Sequence, residues 1–154
     1  MNFKHSCVIP VGREVLWNFL MDVPKVSQCV SGVHDVRAQG ANVYEGAMTV
    51  RVGPITLNLF GRIHIESQDP EAGRATMSAD ADDKKIWGGI RSRMSLVLSP
   101  VAAQETEFTV ETDVTVLGKI GEFGQPIVRK KADAMMQEFA ENVRRQLVEE
   151  GTQR

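Results

Sequence analysis

Cysteines and long apolar runs are scarce in this sequence, and each scarcity excludes a class of protein. The 154-residue chain has two cysteines, Cys7 and Cys29, which do not form a CxxC pair, so a disulfide framework is excluded. No stretch approaches the roughly 20 apolar residues that cross a bilayer, and no apolar segment of signal-peptide length begins the chain. We therefore expect a cytoplasmic protein with free thiols, whose membrane contact, if any, is peripheral on the inner face.

A strong charge of either sign is also missing. The formal net charge of −2 gives no overall attraction to nucleic acid or anionic lipid, so nucleic-acid binding is disfavoured. The one dense basic cluster, Arg129-Lys130-Lys131, lies at the start of a predicted helix. It is either a solvated helix face or a contact to lipid headgroups or an acidic partner, and three charges are too few for firm anchoring.

Catalytic and metal-binding patterns are absent as well. The chain contains no GxSxG, GxGxxG or Walker-type segment. Asp80, Asp82 and Asp83 cluster near a predicted hairpin tip, where carboxylates are usually solvated. The three histidines fall on separate predicted strands without metal-type spacing: His5, His34 and His64. We expect no catalytic residue, no metal and no covalently bound cofactor.

What the chain does have is alternation of apolar and polar residues over most of its length. This period of two is typical of antiparallel strands, and Gly and Pro clusters separate the segments. The predicted strands cover about residues 2–9, 33–38, 44–52, 55–66, 74–81, 90–98 and 108–116. Gly61 interrupts the fourth segment, which predicts a bulge or a bend there.

Helical spacing replaces the alternation in three places. Residues 12–21 predict a short helix, and a second helical turn follows between Pro24 and Cys29. A long amphipathic pattern runs from Ile127 to about Glu150, before a polar tail at 151–154. The sequence therefore predicts one α+β domain over residues 1–150, in which a curved antiparallel sheet of about seven strands wraps around the terminal helix.

Small residues within the strands predict space between this sheet and the helix. They are Gly46, Ala47, Gly61, Ala75, Ala79, Ala81, Gly88 and Gly89. They allow the sheet to bend, and they also leave room above it. Apolar residues on the facing surfaces would line a cavity suited to an apolar ligand: Leu57, Leu59, Ile90, Met94, Val114, Met135, Met136 and Phe139.

The glycine-rich segment from Gly118 to Pro126 is the predicted mouth of this cavity. Two apolar residues within it, Ile120 and Phe123, would cap a ligand or touch a membrane surface. The competing interpretation is a helix-entry turn that buries both side chains in the core.

Three segments of the chain resemble the carbon monoxide dehydrogenase G-subunit family, within the START-like (SRPBCC) helix-grip superfamily. The resemblance covers residues 2–148. Its most specific part is the entry to the last helix, Asp113-Val114-Thr115-Val116-Leu117-Gly118-Lys119-Ile120-Gly121-Glu122-Phe123-Gly124. The other matching parts are residues 15–22, which look like the family's first helix, and residues 44–55 and 60–62, which look like its central hairpin.

The resemblance implies a non-catalytic accessory protein of a molybdenum hydroxylase of the carbon monoxide dehydrogenase type. It also implies binding of a lipophilic, quinone-like ligand, recruitment of the enzyme to the membrane, or both. The fold alone would not support this function, because proteins with the same fold have many different functions. Two alternatives stay open: an enzyme of the polyketide cyclase or hydrolase type, which needs polar groups in the cavity, and an interaction module with a filled core.

Overall fold

The computed structural model describes residues 1–149. The seven strands in this range are β1 Asn2–Ile9, β2 Val33–Gly40, β3 Val43–Val52, β4 Ile55–Asp69, β5 Arg74–Asp83, β6 Gly88–Ala102 and β7 Glu105–Gly118. The α-helices are α1 Arg13–Leu20, α2 Val23–Val26 and α3 Gln125–Arg144. Two 3-10 helices, Ser27–Cys29 and Lys119–Phe123, and a π-helical turn, Arg145–Glu149, complete the secondary structure. Glu150 and the predicted tail lie outside the described residues.

All seven strands form one antiparallel sheet in the order β1-β7-β6-β5-β4-β3-β2. Strands β2 to β6 each pair with the next strand along the chain, because short turns join them. Strand β1 pairs with β7, and α1 and α2 fill the connection from β1 to β2 at the other edge. The predicted architecture, an antiparallel sheet with a long terminal helix against one face, is confirmed.

Gly61 does not form the bulge that its place in the pattern predicts. Its pairing is continuous with Gly46 on one side and Ala81 on the other, and the register of β4 shifts later, between Ile65 and Ser67. A Cβ atom at Gly61 would lie 2.0 Å from the carbonyl oxygen of Asp80. Glycine is therefore needed at this position for close backbone approach rather than for an extra residue.

Buried side chains form two separate clusters at opposite ends of the sheet's inner, helix-facing surface. The first cluster joins α1, the ends of β6 and β7, and α3, and includes Leu16, Trp17, Leu98, Phe108 and Val143. The second cluster consists of Val50, Val52, Leu57, Leu59 and Ile120. The clusters do not merge, and the row of positions midway between them belongs to neither.

Polar contacts hold α3 to one edge of the sheet and to the α1–α2 region. His5 Nε2 on β1 lies 2.8 Å from Asp133 Oδ1, and the Arg129 guanidinium lies 4.8 Å from the centroid of the Phe3 ring. Near the other end of α3, Asn142 Nδ2 donates a hydrogen bond of 3.0 Å to the Cys29 carbonyl oxygen. The helix is thus attached at its flanks rather than only through apolar packing.

Candidate functional site

One row of side chains crosses the middle of the inner surface without a fully buried member. Successive strand pairs connect Tyr44 to Ile63, Ile63 to Ala79, Ala79 to Ser92, and Ser92 to Val114. All five side chains are half-buried, although they face the helix side of the sheet. In a filled core such central positions would be the most deeply buried ones.

The rows on either side of this one are half-buried over most of their length. One runs through Gly46, Gly61, Ala81, Ile90 and Val116, and begins with two glycines and an alanine. The other contains the half-buried Met77, Met94 and Thr112, and it ends on both sides in a buried residue, Ile65 or Phe3. We call the half-buried residues of these three rows the central face; its side chains are mostly apolar and several are small, so the face is incompletely buried.

Helix α3 faces the central face with side chains that are also half-buried. They are Val128, Ala132, Met135, Met136 and Phe139. The backbone of α3 lies closest to β1, β3 and the Ser27–Cys29 helix, and it approaches strands β4 to β7 less closely. The helix therefore spans the sheet from one side to the other, with the four central strands farther from it.

The two clusters close the ends of this region. Ile120 is 2% exposed and packs against the second cluster, together with the half-buried Phe123 and Met135. At the other end, the Phe108 and Phe139 rings lie 6.1 Å apart, and the gap beside them has no room for a water molecule. Ile120 is thus part of a packed end wall, which matches the helix-entry interpretation of its segment.

Few polar groups face the central face. Ser92 Oγ donates a hydrogen bond of 3.2 Å to the Ala79 carbonyl oxygen. Tyr44 is the one tyrosine of the chain, and its hydroxyl has no hydrogen-bond partner among residues 1–149. His64 and Asp80 lie on the outer surface of the sheet instead, because they alternate with Ile63 and Ala79. The central face therefore presents two hydroxyl groups without a hydrogen-bond partner among residues 1–149, those of Tyr44 and Thr112, in an apolar setting.

The cysteines offer no activated thiol. Cys29 is buried and Cys7 is half-buried, and both are free of disulfides. Burial raises the pKa of the Cys7 thiol, so it forms little thiolate near neutral pH. Among residues 1–149, no three His, Cys, Asp or Glu side chains come together as possible metal ligands.

Asp83 is a buried carboxylate whose role is to hold a turn. It accepts hydrogen bonds from the backbone N–H groups of Asn58 at 2.8 Å, Lys85 at 2.9 Å and Ile86 at 3.4 Å. The bond from Asn58, followed by the other two and the charge of Lys85, holds the pKa of Asp83 below its ordinary value, although burial acts in the opposite direction. The carboxylate thereby joins the β5–β6 turn to β4.

Replacing Asp83 by Asn should destabilise the protein by about 2 kcal/mol, since the amide nitrogen cannot accept from these N–H groups. The pKa of Asp83 is lower in the native state than in the unfolded state, where it is about 3.9, so the ionised carboxylate stabilises the fold at pH values above about 3.9. This contribution to the free energy of unfolding is lost as the pH falls through the native pKa. Urea unfolding of both proteins from pH 7 to pH 2 would measure this. The difference should shrink in acid; a constant difference would contradict the assignment.

The chain matches one family model over nearly its whole length. That model, described as the carbon monoxide dehydrogenase G-subunit (CoxG), matches residues 6–148. The chain belongs to the CoxG family. No curated protein matches the sequence significantly.

Solved structures show how widely this CoxG fold is shared. A conserved protein from Geobacillus kaustophilus has a TM-score of 0.89 at 17% identity, with 97% of this chain and 96% of that chain covered. A START superfamily protein from Mycobacterium smegmatis has a TM-score of 0.63 at 11% identity, covering 95% and 96%. The Zhui aromatase/cyclase from Streptomyces sp. R1128 has a TM-score of 0.62 at 14% identity, covering 96% of each. At these identities the likeness shows the START-like fold alone.

The structure separates the predicted lining residues into three places. Leu57, Leu59, Ile90, Met135, Ile120 and Phe123 belong to the second cluster or pack on it, and Met94, Met136 and Phe139 pack on the first. Val114 lies in the central row, outside both clusters. Sequence reasoning missed Tyr44, Ile63 and Ser92, which the strand register places in the same row as Val114. Counting residues outward from each predicted turn would have aligned them.

The outer surface carries two polar hollows that no sequence pattern indicated. They measure about 350 Å³ and about 440 Å³ and share Glu66, Arg93 and Asp113. Arg93 Nη2 lies 2.9 Å from Glu66 Oε2, so charges of both signs are paired across them. Because the hollows are polar, they are unsuited to an apolar ligand, whereas they suit contact with the polar surface of another protein.

Proposed function

We propose that this CoxG-family protein is a non-catalytic accessory protein that holds a lipophilic, quinone-like molecule between its sheet and α3. It does so in the service of a molybdenum hydroxylase of the carbon monoxide dehydrogenase type. The half-buried central face is the observation that carries the proposal. Three rows of apolar and small side chains face a helix that stands off the central strands, and an apolar molecule would bury that surface.

The polar content of the central face supports a carbonyl-bearing ligand. The Tyr44 hydroxyl has no partner among the described residues and can donate to a quinone carbonyl oxygen. Farther along the same row, Ile63, Ala79 and Val114 offer apolar contact to a ring or an isoprenoid tail. A small number of donors in an apolar site gives orientation without the cost of burying many polar groups.

The partner enzyme and its recruitment to the membrane also belong to this proposal. Family membership supports association with carbon monoxide dehydrogenase subunits. The polar outer surface of the sheet, with its two hollows, is the surface that we assign to this protein contact, because the ligand would occupy the inner surface. No helix among residues 1–149 has the length and hydropathy to span a bilayer.

The alternative of a cyclase-type or hydrolase-type enzyme requires acid–base groups on the central face. His64 and Asp80 lie on the outer surface, and the three backbone contacts of Asp83 hold it to its turn and to β4. The groups that such an enzyme would have to use are the hydroxyls of Tyr44, Ser92 and Thr112 and the His5–Asp133 pair between β1 and α3. The half-buried central row favours an open interior over the alternative of a filled core.

A direct test is to search for the ligand in the purified full-length protein. Organic extraction followed by mass spectrometry should yield a prenylated quinone or a similar lipophile, and equilibrium dialysis against decylubiquinone should give saturable binding near one molecule per chain. Absence of both an extracted lipophile and saturable binding would overturn the proposal. Conversion of a bound polyketide-like compound to a new product would favour the enzyme instead.

Tyr44→Phe tests the orientation of that ligand. It removes the hydroxyl and keeps the ring, so the affinity for decylubiquinone should fall about fivefold to tenfold, as expected for one hydrogen bond. An analogue with no oxygen acceptor, a decyl-substituted tetramethylbenzene, should bind both proteins equally. Equal loss for both compounds would mean that Tyr44 acts by packing alone.

A further inference from the structure

One end of the molecule combines exposed apolar side chains with lysines. The β3–β4 turn, the β5–β6 turn, the end of β7 and the start of α3 meet there, and Lys119 N–H donates a hydrogen bond of 3.1 Å to the Trp87 carbonyl oxygen. The apolar side chains exposed at this end are Ile55, Phe60, Trp87, Leu117 and Ile127. We call this end, with its neighbouring lysines Lys84, Lys85 and Lys119, the tip surface.

Trp87 is its most prominent member. Its side chain is 80% exposed, so the fold gains little from the indole ring. Its backbone φ is +49°, a left-handed conformation that bulky residues avoid and that Gly or Asn adopts more easily. Neither packing nor turn geometry favours tryptophan here, which indicates a role outside the folded chain itself.

The charge around Trp87 is mainly positive. Lys84, Lys85 and Lys119 are all exposed, and neither Lys84 nor Lys119 forms an ion pair with any of residues 1–149. Asp82 is paired with Arg91 at 3.1 Å, and Glu122 is the exposed carboxylate of the neighbouring 3-10 helix. Lysines around an exposed indole complement the anionic headgroups and the interfacial layer of a membrane.

We propose that the tip surface docks on an anionic lipid membrane, with the Trp87 ring in the interfacial layer and Lys84 and Lys119 at the headgroups. The inference extends the proposed function, because Phe123 and the end wall beside the central face lie next to this surface. A lipophilic molecule could then pass between bilayer and protein without crossing water. Docking itself needs no ligand, so it can be tested separately.

Flotation of the full chain with lipid vesicles tests the docking. The protein should float with vesicles of phosphatidylcholine mixed with phosphatidylglycerol, float much less with phosphatidylcholine alone, and detach as the salt concentration rises. The Trp87 fluorescence should shift to the blue on binding. Trp87→Phe should keep flotation and lose that shift, because the remaining Trp17 is already buried.

Two substitutions measure the contributions of the ring and the charge. Trp87→Asn suits the left-handed backbone and should lower vesicle binding about tenfold, whereas Lys84→Gln should lower it about fivefold. Val101→Asn and Lys25→Gln alter an exposed valine and an exposed lysine away from the tip surface, and should leave binding unchanged.

Failure of wild-type protein to float with anionic vesicles would overturn the docking proposal. Flotation that is unaffected by Trp87→Asn and Lys84→Gln would overturn it as well, since another surface would then be responsible. The vesicles contain no quinone, and Ala79→Phe on the central face should float like wild type. Loss of ligand binding and loss of docking are therefore distinguishable results.

Discussion

Replacing Ala79 by Phe is expected to lower the affinity for decylubiquinone about 100-fold without unfolding the protein. Ala79 is half-buried at the centre of the central face, between Ile63 on β4 and Ser92 on β6. A phenyl ring there would occupy the volume assigned to the ligand. Equilibrium dialysis gives the affinity, and thermal unfolding gives the stability.

The stability of Ala79→Phe is informative in its own right. In a filled core the extra ring would overpack its neighbours and cost about 1–3 kcal/mol. In an open region the ring buries apolar surface instead, and the melting temperature should stay the same or rise. A destabilised variant would therefore support the filled-core alternative, and an unchanged affinity would place the ligand elsewhere.

Ser78→Phe is the matched control for this experiment. Ser78 is the preceding residue of the same strand, is also small, and lies on the outer surface beside His64. The substitution adds a ring of the same kind on the opposite side of the sheet, so the affinity for decylubiquinone should not change. An equal loss in both variants would show that damage to β5, rather than blockage, is responsible.

The strands and helices were predictable because their burial follows a simple period. Phe3 and Ile9 on β1, and Leu57 and Leu59 on β4, are buried at alternate positions as the pattern indicates. The long helix was predictable from the spacing of Met136, Phe139 and Val143, which face the sheet. Periodicity reports which face of an element is apolar, and this was sufficient for the architecture.

The composition of the candidate site was less predictable, because it depends on register between strands. Tyr44 and Val114 are 70 residues apart in sequence numbering and share a row only because every turn between them has its particular length. Apolar character also could not distinguish the packed Leu57 from the half-buried Val114. The exposure of Trp87 was not predicted, because Trp87 lies in a turn and hydrophobic periodicity gives no information about turn residues.

The second large effect is expected at Gly118, where substitution by Ala should destabilise the protein by about 3 kcal/mol or more. Gly118 has φ 66° and ψ −146°, a combination that is essentially restricted to glycine. A Cβ atom there would lie 2.1 Å from the Trp87 carbonyl oxygen, which accepts the Lys119 N–H. Conformational strain and a backbone collision therefore act together.

Two other glycines separate these causes, and chemical denaturation of all three variants measures them. Gly53 has φ 59° with open space around its Cβ position, so Gly53→Ala should cost only about 1 kcal/mol. Gly121 lacks positive φ, and its nearest contact is an ordinary 3.5 Å, so Gly121→Ala should be within about 0.5 kcal/mol of wild type. If Gly118→Ala destabilised the protein no more than Gly53→Ala does, the collision would be relieved by movement of the Lys119–Phe123 helix. That movement would displace Ile120 from the second cluster, and the end wall of the central face would then be a part that can open for the ligand.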